Sequence, residues 1–223
     1  MPVASGKERR VFMGNRGFKD VHIVLGGLLA IGVLRNARVP FGLAVPYLIR
    51  PMIWLTLGIL TVKVFPEHRP AGRHRVISVL AQVALLAAVL QIALSVLFGI
   101  VEGFGKSPYS FTFTGILLNL WVVSTELLGT EYSRAWLINR AARRRKIGVA
   151  AVFALLYTLV TLPLSSIPGM TQDKVQLVRF LGNDALPTLA YNLFCSYLAF
   201  LGGPVPALVY RGLMLAFTWF CPV

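Results

Sequence analysis

From Val76 to Phe98 the chain reads VISVLAQVALLAAVLQIALSVLF, without one formal charge. A helix of roughly 20 mostly apolar residues crosses the hydrocarbon core of a bilayer, so this segment alone makes a spanning helix the expected unit of the fold. The rest of the chain agrees. It is 57% hydrophobic and 13% charged over 223 residues, where soluble domains carry about 25% charged residues. A soluble domain of this size would be left with large exposed apolar patches. The composition excludes an ordinary cytosolic enzyme, a disordered chain and a secreted disulfide scaffold.

Further spans follow. One runs from about Phe111 to Leu128, another from Ile147 to about Ile167, and a third from Leu186 to Leu201. After Gly202-Gly203-Pro204 a fourth runs from Val205 to the last residue. Gly frees the backbone and Pro cannot continue a helix, so this triplet marks a stop between two helices. The first 65 residues read as two helices. Val21–Leu34 is apolar but short and is followed by Arg35 and Arg38, and Val39–Phe65 is interrupted by Pro46, Arg50, Pro51 and Lys63. The arginines are expected to snorkel to an interface or to face other helices. The fold class is therefore all-α, a polytopic transmembrane helix bundle of about seven spans. One interfacial helix plus one span at the start is the alternative, which gives six. Cys195 and Cys221 lie in apolar stretches without a CxxC pattern and read as inert buried thiols.

Orientation follows from the basic residues. The net charge is +14, with 22 Lys and Arg against eight Asp and Glu. Most of the basic residues lie in short segments between apolar runs, as the positive-inside rule requires, and not interleaved with groove-fitting elements as in a nucleic-acid binder. The tail to Lys19 carries five, Lys63–Arg75 four and Arg134–Lys146 six, while the loops on the other side carry only Lys106, Lys174 and Arg179. The N-terminus is thus expected in the cytoplasm, and Arg143, Arg144, Arg145 and Lys146 read as an orientation device. Residues 1–20 become a basic cytoplasmic tail with no cleavage pattern after it, and 21–223 a single transmembrane domain. The chain stops inside an apolar stretch at Phe220-Cys221-Pro222-Val223. The expectation is that a parent chain continues into an extracytoplasmic domain.

The helix after Phe111 holds the densest polar chemistry: Asn119, Ser124, Thr125, Glu126, Glu131 and Arg134. Asn119 and Glu126, seven apart, fall on nearly one line. Glu131 and Arg134, three apart, can pair on one face. An intramembrane carboxylate is costly and marks a candidate site, so Glu126, Glu131 and Arg134 are the catalytic candidates. The competing reading is an ion pair that locks helices together, favoured for Glu131–Arg134 and level with function for Glu126. In the last two spans Asn192 and Ser196 share a face, and the lone Arg211 needs a carboxylate, a carbonyl or a lipid phosphate. Asn119, Glu126, Glu131, Arg134, Asn192 and Arg211 are therefore expected to form a closed polar cluster, with Glu126 pointing into the bundle and not at lipid.

Other motifs reduce to structure. Gly103-Phe104-Gly105-Lys106-Ser107 contains Gly-Lys-Ser, but the phosphate loop needs glycine where Ile100 stands. Lys106, Ser107 and Tyr109 are left as an extracytoplasmic turn, and Gly99 with Gly103 as a helix-packing notch. His22, His68 and His74 show no metal-ligand spacing and no serine-histidine arrangement. No metal and no cofactor is expected.

The segments GFGKSPYS with GILLNL, ELLGTEYSRAWLIN, and ALPTLAYNLFCSYLAFLGGPVPALVYRG ending in AFTWFCP resemble the multi-pass membrane region that precedes the catalytic domain in certain signal peptidase I-like proteins of bacteria and archaea. The resemblance covers about residues 40–223. It implies a plasma-membrane module that is itself non-catalytic and anchors or guides an extracytoplasmic peptidase domain or a secreted or membrane protein substrate. The serine–lysine pair of those peptidases is not identifiable, since Ser107 beside Lys106 does not match it. A weaker likeness joins Glu131–Arg134 and Asn192 to CPBP-type intramembrane proteases, whose second glutamate and histidine are absent, with a spacing off by one.

Three functions therefore compete: a non-catalytic membrane module, an intramembrane enzyme acting on peptide or lipid with Glu126 or Glu131 as base, and a small transporter. The transporter ranks last because the halves show no self-similarity. The first two differ over Glu126. An enzyme needs it beside a water-reachable cavity, and a scaffold needs it paired and sealed.

Overall fold

The computed structural model describes residues 6–36, 42, 44–65, 70, 74–103, 112–141, 147–166 and 174–220. These residues form seven helices, with no strand among them: α1 Gly6–Asn36, α2 Val45–Val64, α3 His74–Glu102, α4 Phe113–Ala141, α5 Gly148–Thr161, α6 Lys174–Gly202 and α7 Pro204–Phe220. Four of them, α2, α3, α4 and α6, are long and apolar enough to cross a membrane.

Proline shapes several boundaries. Leu162 is extended at φ −74°, ψ 144°, as expected of a residue before Pro163, so α5 stops at Thr161 and not near Ile167. Of the wide π turns Val45–Ile49, Leu60–Val64 and Leu181–Ala185, the first and the last end two residues before a proline of the same helix, Pro51 and Pro187. A proline cannot donate to the carbonyl four residues back and its ring crowds that carbonyl, and widening the preceding turn relieves both problems. The last of these turns carries α6 back to Lys174, twelve residues before the expected start. At the other end of the chain α1 begins at Gly6, so much of the segment read as a basic tail is continuous with the first apolar helix. The Gly202-Gly203-Pro204 stop is present, with Gly203 at φ +73° between α6 and α7.

Side-chain pairings fix the direction of every helix relative to its neighbours. The Trp121 Nε1 donates to the Tyr47 carbonyl (3.1 Å), Gly58 meets Gly129, and Phe65 stacks near Trp136. Helices α2 and α4 therefore run parallel. So do α4 and α6, through Arg134–Asn192 and Asn139–Ala199, and α3 and α7, through Gln91–Tyr210 and the contact of Leu80 with Gly202 just ahead of α7. Helices α1 and α5 share one direction through Gly32–Val160 and Asn36–Ser165. Gly27 against Leu57, with Arg35 beside Tyr47 and Arg50, sets α1 antiparallel to α2. Gly202–Pro206 and Phe194–Tyr210 set α7 antiparallel to α6, so even-numbered helices run one way and odd-numbered helices the other.

The bundle holds two main apolar cores. One gathers Val24, Leu28 and Ile31 of α1, Trp54 and Leu57 of α2, Trp136 and Leu137 of α4, and Tyr157 and Val160 of α5. The other gathers Ala84 and Ala88 of α3 with Cys195, Leu198, Ala207 and Tyr210 of α6 and α7. The outward faces are apolar as well: on α3, Leu86, Leu90, Phe98 and Val101 are all exposed. The tightest helix contact is the α2–α4 crossing, where a Cβ on Gly129 would collide with the Trp54 backbone carbonyl. Gly103 has a different role from the expected notch. At φ +96°, with open space around it, it ends α3 through its N–H to the Gly99 carbonyl.

Candidate functional site

A sealed ion-pair brace sits where α4, α5, α6 and α7 meet. The Glu131 side chain is completely buried, and its Oε1 accepts from Arg211 Nη1 at 3.0 Å while Arg134 Nη2 stands at 3.6 Å. Arg134, equally buried, donates to Asn192 Oδ1 at 2.7 Å and to the Asn192 carbonyl at 3.4 Å. Asn192 Nδ2 passes the chain on to Thr158 Oγ1 (3.2 Å), whose hydroxyl ends on the Ala154 carbonyl (2.8 Å). The Arg134 guanidinium also lies 4.6 Å over the Tyr157 ring, a cation–π contact that strengthens out of water. Tyr157 OH and Ser133 Oγ share a hydrogen bond of 2.7 Å. A buried carboxylate is tolerated only when paired and hydrogen-bonded, and here two guanidiniums meet one carboxylate.

A cleft of about 400 Å³ opens beside the brace, lined by Arg35, Tyr47, Arg50, Asn119, Glu126 and Arg211 among others. Glu126 stands at the boundary. Its Oε2 lies 3.5 Å from Arg50 Nη2 and its Oε1 lies 3.7 Å from Arg211 Nη2, and 26% of its side chain is exposed. No carboxylate among the described residues comes within ion-pair distance of Arg35. The cleft wall depends on Pro51. Because Pro51 has no N–H, the Tyr47 carbonyl lacks its helical donor, and the Trp121 indole of α4 supplies one. Helix α2 is thereby held with Tyr47 and Arg50 facing α4.

The residues singled out by sequence come together in two groups and not in one closed cluster. Glu131, Arg134, Asn192 and Arg211 form the brace, while Asn119 and Glu126 line the open cleft and Arg211 touches both. The Glu131–Arg134 pair exists, but Arg211 is the nearer partner of Glu131. Glu126 faces Arg50 of α2 and Arg211 of α7. Ser196, on the Asn192 face, has a buried hydroxyl with no partner. Lys106, Ser107, Tyr109 and the run Arg143–Lys146 lie outside the described residues. Sequence spacing passed over Thr158, Ser133 and Tyr157 altogether. It noticed Arg35 and Arg50 without a destination, and their sequence signal is a charge inside an apolar run. No group of three His, Cys, Asp or Glu residues gathers among the described residues. Comparison of the chain with protein-family models, curated proteins and solved structures finds no match.

Proposed function

We propose that the chain is a multi-pass protein of the bacterial or archaeal cell membrane that crosses it seven times. In this reading it is not itself catalytic, and it anchors or guides a secretion or proteolysis partner at the outer face. The alternation of helix directions supports seven crossings. Helix α5, about 21 Å long at 1.5 Å per residue, is shorter than the roughly 30 Å core; one face packs against α1, α4 and α6, and the other exposes Val152, Leu155 and Leu159, as a lipid-facing side would. The likeness to the membrane region of signal peptidase I-like proteins supports the partner class.

The observation that carries the non-catalytic reading is the brace. Glu131, the more deeply placed acid, is out of reach of water and held by two arginines. A second reading, an intramembrane enzyme with Glu126 as base, is favoured by the cleft that Glu126 faces. Against it, both Glu126 oxygens stand at ion-pair distance from guanidiniums, the pairing that a scaffold needs. The test is turnover of a fluorogenic signal-peptide substrate by the purified chain in proteoliposomes. We expect none beyond that of Glu126→Gln, and turnover abolished by that substitution would hand the assignment to the enzyme reading.

A further inference from the structure

Three guanidiniums, from Arg35, Arg50 and Arg211, line the cleft against the single carboxylate of Glu126. Counting the brace as well, four arginines face two glutamates. An excess of about two positive charges inside an apolar bundle is costly unless an anion offsets it. Arg50 adds a second sign, since its Nε is buried without a partner. The planar fork of arginine matches the oxygens of phosphate two at a time. Arg35 lies in the last turn of α1 and Arg50 near the start of α2, so these two arginines stand toward one end of their helices, where headgroups would lie, and Arg211 reaches the cleft from the middle of α7.

The same turns of α2 border a second hollow. Leu48, Ile49, Met52, Ile53 and Leu60 of α2, with Ile23 of α1, line an open, almost wholly apolar groove. From Leu48 to Leu60 the helix rises about 18 Å, a length suited to one hydrocarbon chain. Gly27 belongs to this groove, and a Cβ there would press on the Leu57 side chain, with its Cδ2 at 2.8 Å. Tyr47 and Arg50 face the charged cleft while Leu48 and Ile49 face the apolar groove. The two hollows are thus lined by successive residues of one turn of α2.

We propose that cleft and groove together form a site for a phosphate-headed membrane lipid, with the phosphate among Arg35, Arg50 and Arg211 and one hydrocarbon chain along the α1–α2 groove. Glu126 holds Arg50 and Arg211 apart and aimed into the cleft. The proposal rests on the membrane placement above, and a single preparation separates the two. The purified chain is placed in phosphatidylcholine nanodiscs, and its Tm is followed as dioleoyl phosphatidic acid is titrated in. Dioleoylglycerol (chains without phosphate) and soluble glycerol 3-phosphate (phosphate without chains) serve as controls. Phosphatidic acid is expected to raise Tm saturably, and neither control should. Arg35→Gln, at an exposed residue that leaves every ion pair intact, should weaken the response at least tenfold. Thr56→Trp, which fills the groove from an exposed position, should do the same. Equal protection by glycerol 3-phosphate overturns the proposal, as does an unchanged phosphatidic acid response in both variants. Incorporation into nanodiscs with no phosphatidic acid response sinks the lipid site alone, whereas failure to incorporate sinks the membrane placement and the site with it.

Discussion

Glu126 and Glu131 stand little more than one turn apart on the same helix and pair with the same arginine, yet they live in different solvents. Glu131 is fully enclosed and its partners continue through Arg134 and Asn192 to the backbone of α5. Glu126 is a quarter exposed, with looser contacts at 3.5 and 3.7 Å. The difference teaches that a charge inside a bundle does one of two jobs according to enclosure. Sealed and held between two guanidiniums, it fixes which helices are neighbours. Open and only partly offset, it leaves attraction for something else to answer.

The contrast is broken most forcefully at Glu131. Glu131→Ala strands Arg134 and loosens Arg211, and should cost about 3–5 kcal/mol, read from unfolding in detergent micelles. A loss below about 1 kcal/mol would show that the brace does not hold the helices. Gly129→Ala follows, because its methyl group meets Trp54 backbone and not a movable side chain. We expect about 1–3 kcal/mol for that overpacking and, if α2 is pushed off α4, a weaker Arg50–Glu126 contact. Tyr157→Phe removes only the hydroxyl shared with Ser133, which keeps its bond to the Thr130 carbonyl. Polar contacts between spanning helices average about 0.6 kcal/mol, so a loss of that order is expected, and a much larger one would add Tyr157 OH to the brace. Glu126→Gln belongs to the same small range as Tyr157→Phe. For a pair open to water the expected change is below about 1 kcal/mol, and a cost matching that of Glu131→Ala would erase the distinction between the two sites.

Much of the brace was legible before any coordinates. Spacing alone places Glu131 and Arg134 on one face, and the cost of an isolated charge at depth requires Arg211 to find a carboxylate, a carbonyl or a lipid phosphate. Neither argument names the neighbour. Periodicity gives the face of a helix, but not which helix packs on it. That is why Arg50 could be noticed in α2 without being joined to Glu126, and why Thr158, an unremarkable residue in an apolar helix, escaped notice as the end of the hydrogen-bonded chain. The Gly99–Gly103 notch shows the same limit from the other side. Four-residue glycine spacing suits close packing, and a glycine is equally at home ending a helix with positive φ, as Gly103 does. The actual close approach, Gly58 on Gly129, joins glycines on two different helices, so no pattern within either one could reveal it.

The parallel course of α2 and α4 also has a consequence in time. Tyr47 and its indole partner Trp121 are separated by 74 residues of chain, and Glu131 and Arg211 by 80. Chains are made at about 5–20 residues per second, so each wait is about 4–16 s. Helix α2 emerges with its free carbonyl and its arginine long before either can be answered, α3 is made in between, and α4 must come back alongside it. Then α4 waits in turn, carrying two acids, until the last helix brings Arg211. The ribosome delivers this bundle in an order its contacts do not follow: Arg50 goes unanswered until Glu126 arrives on α4, and Glu131 then has only Arg134 of its own helix until Arg211 is made.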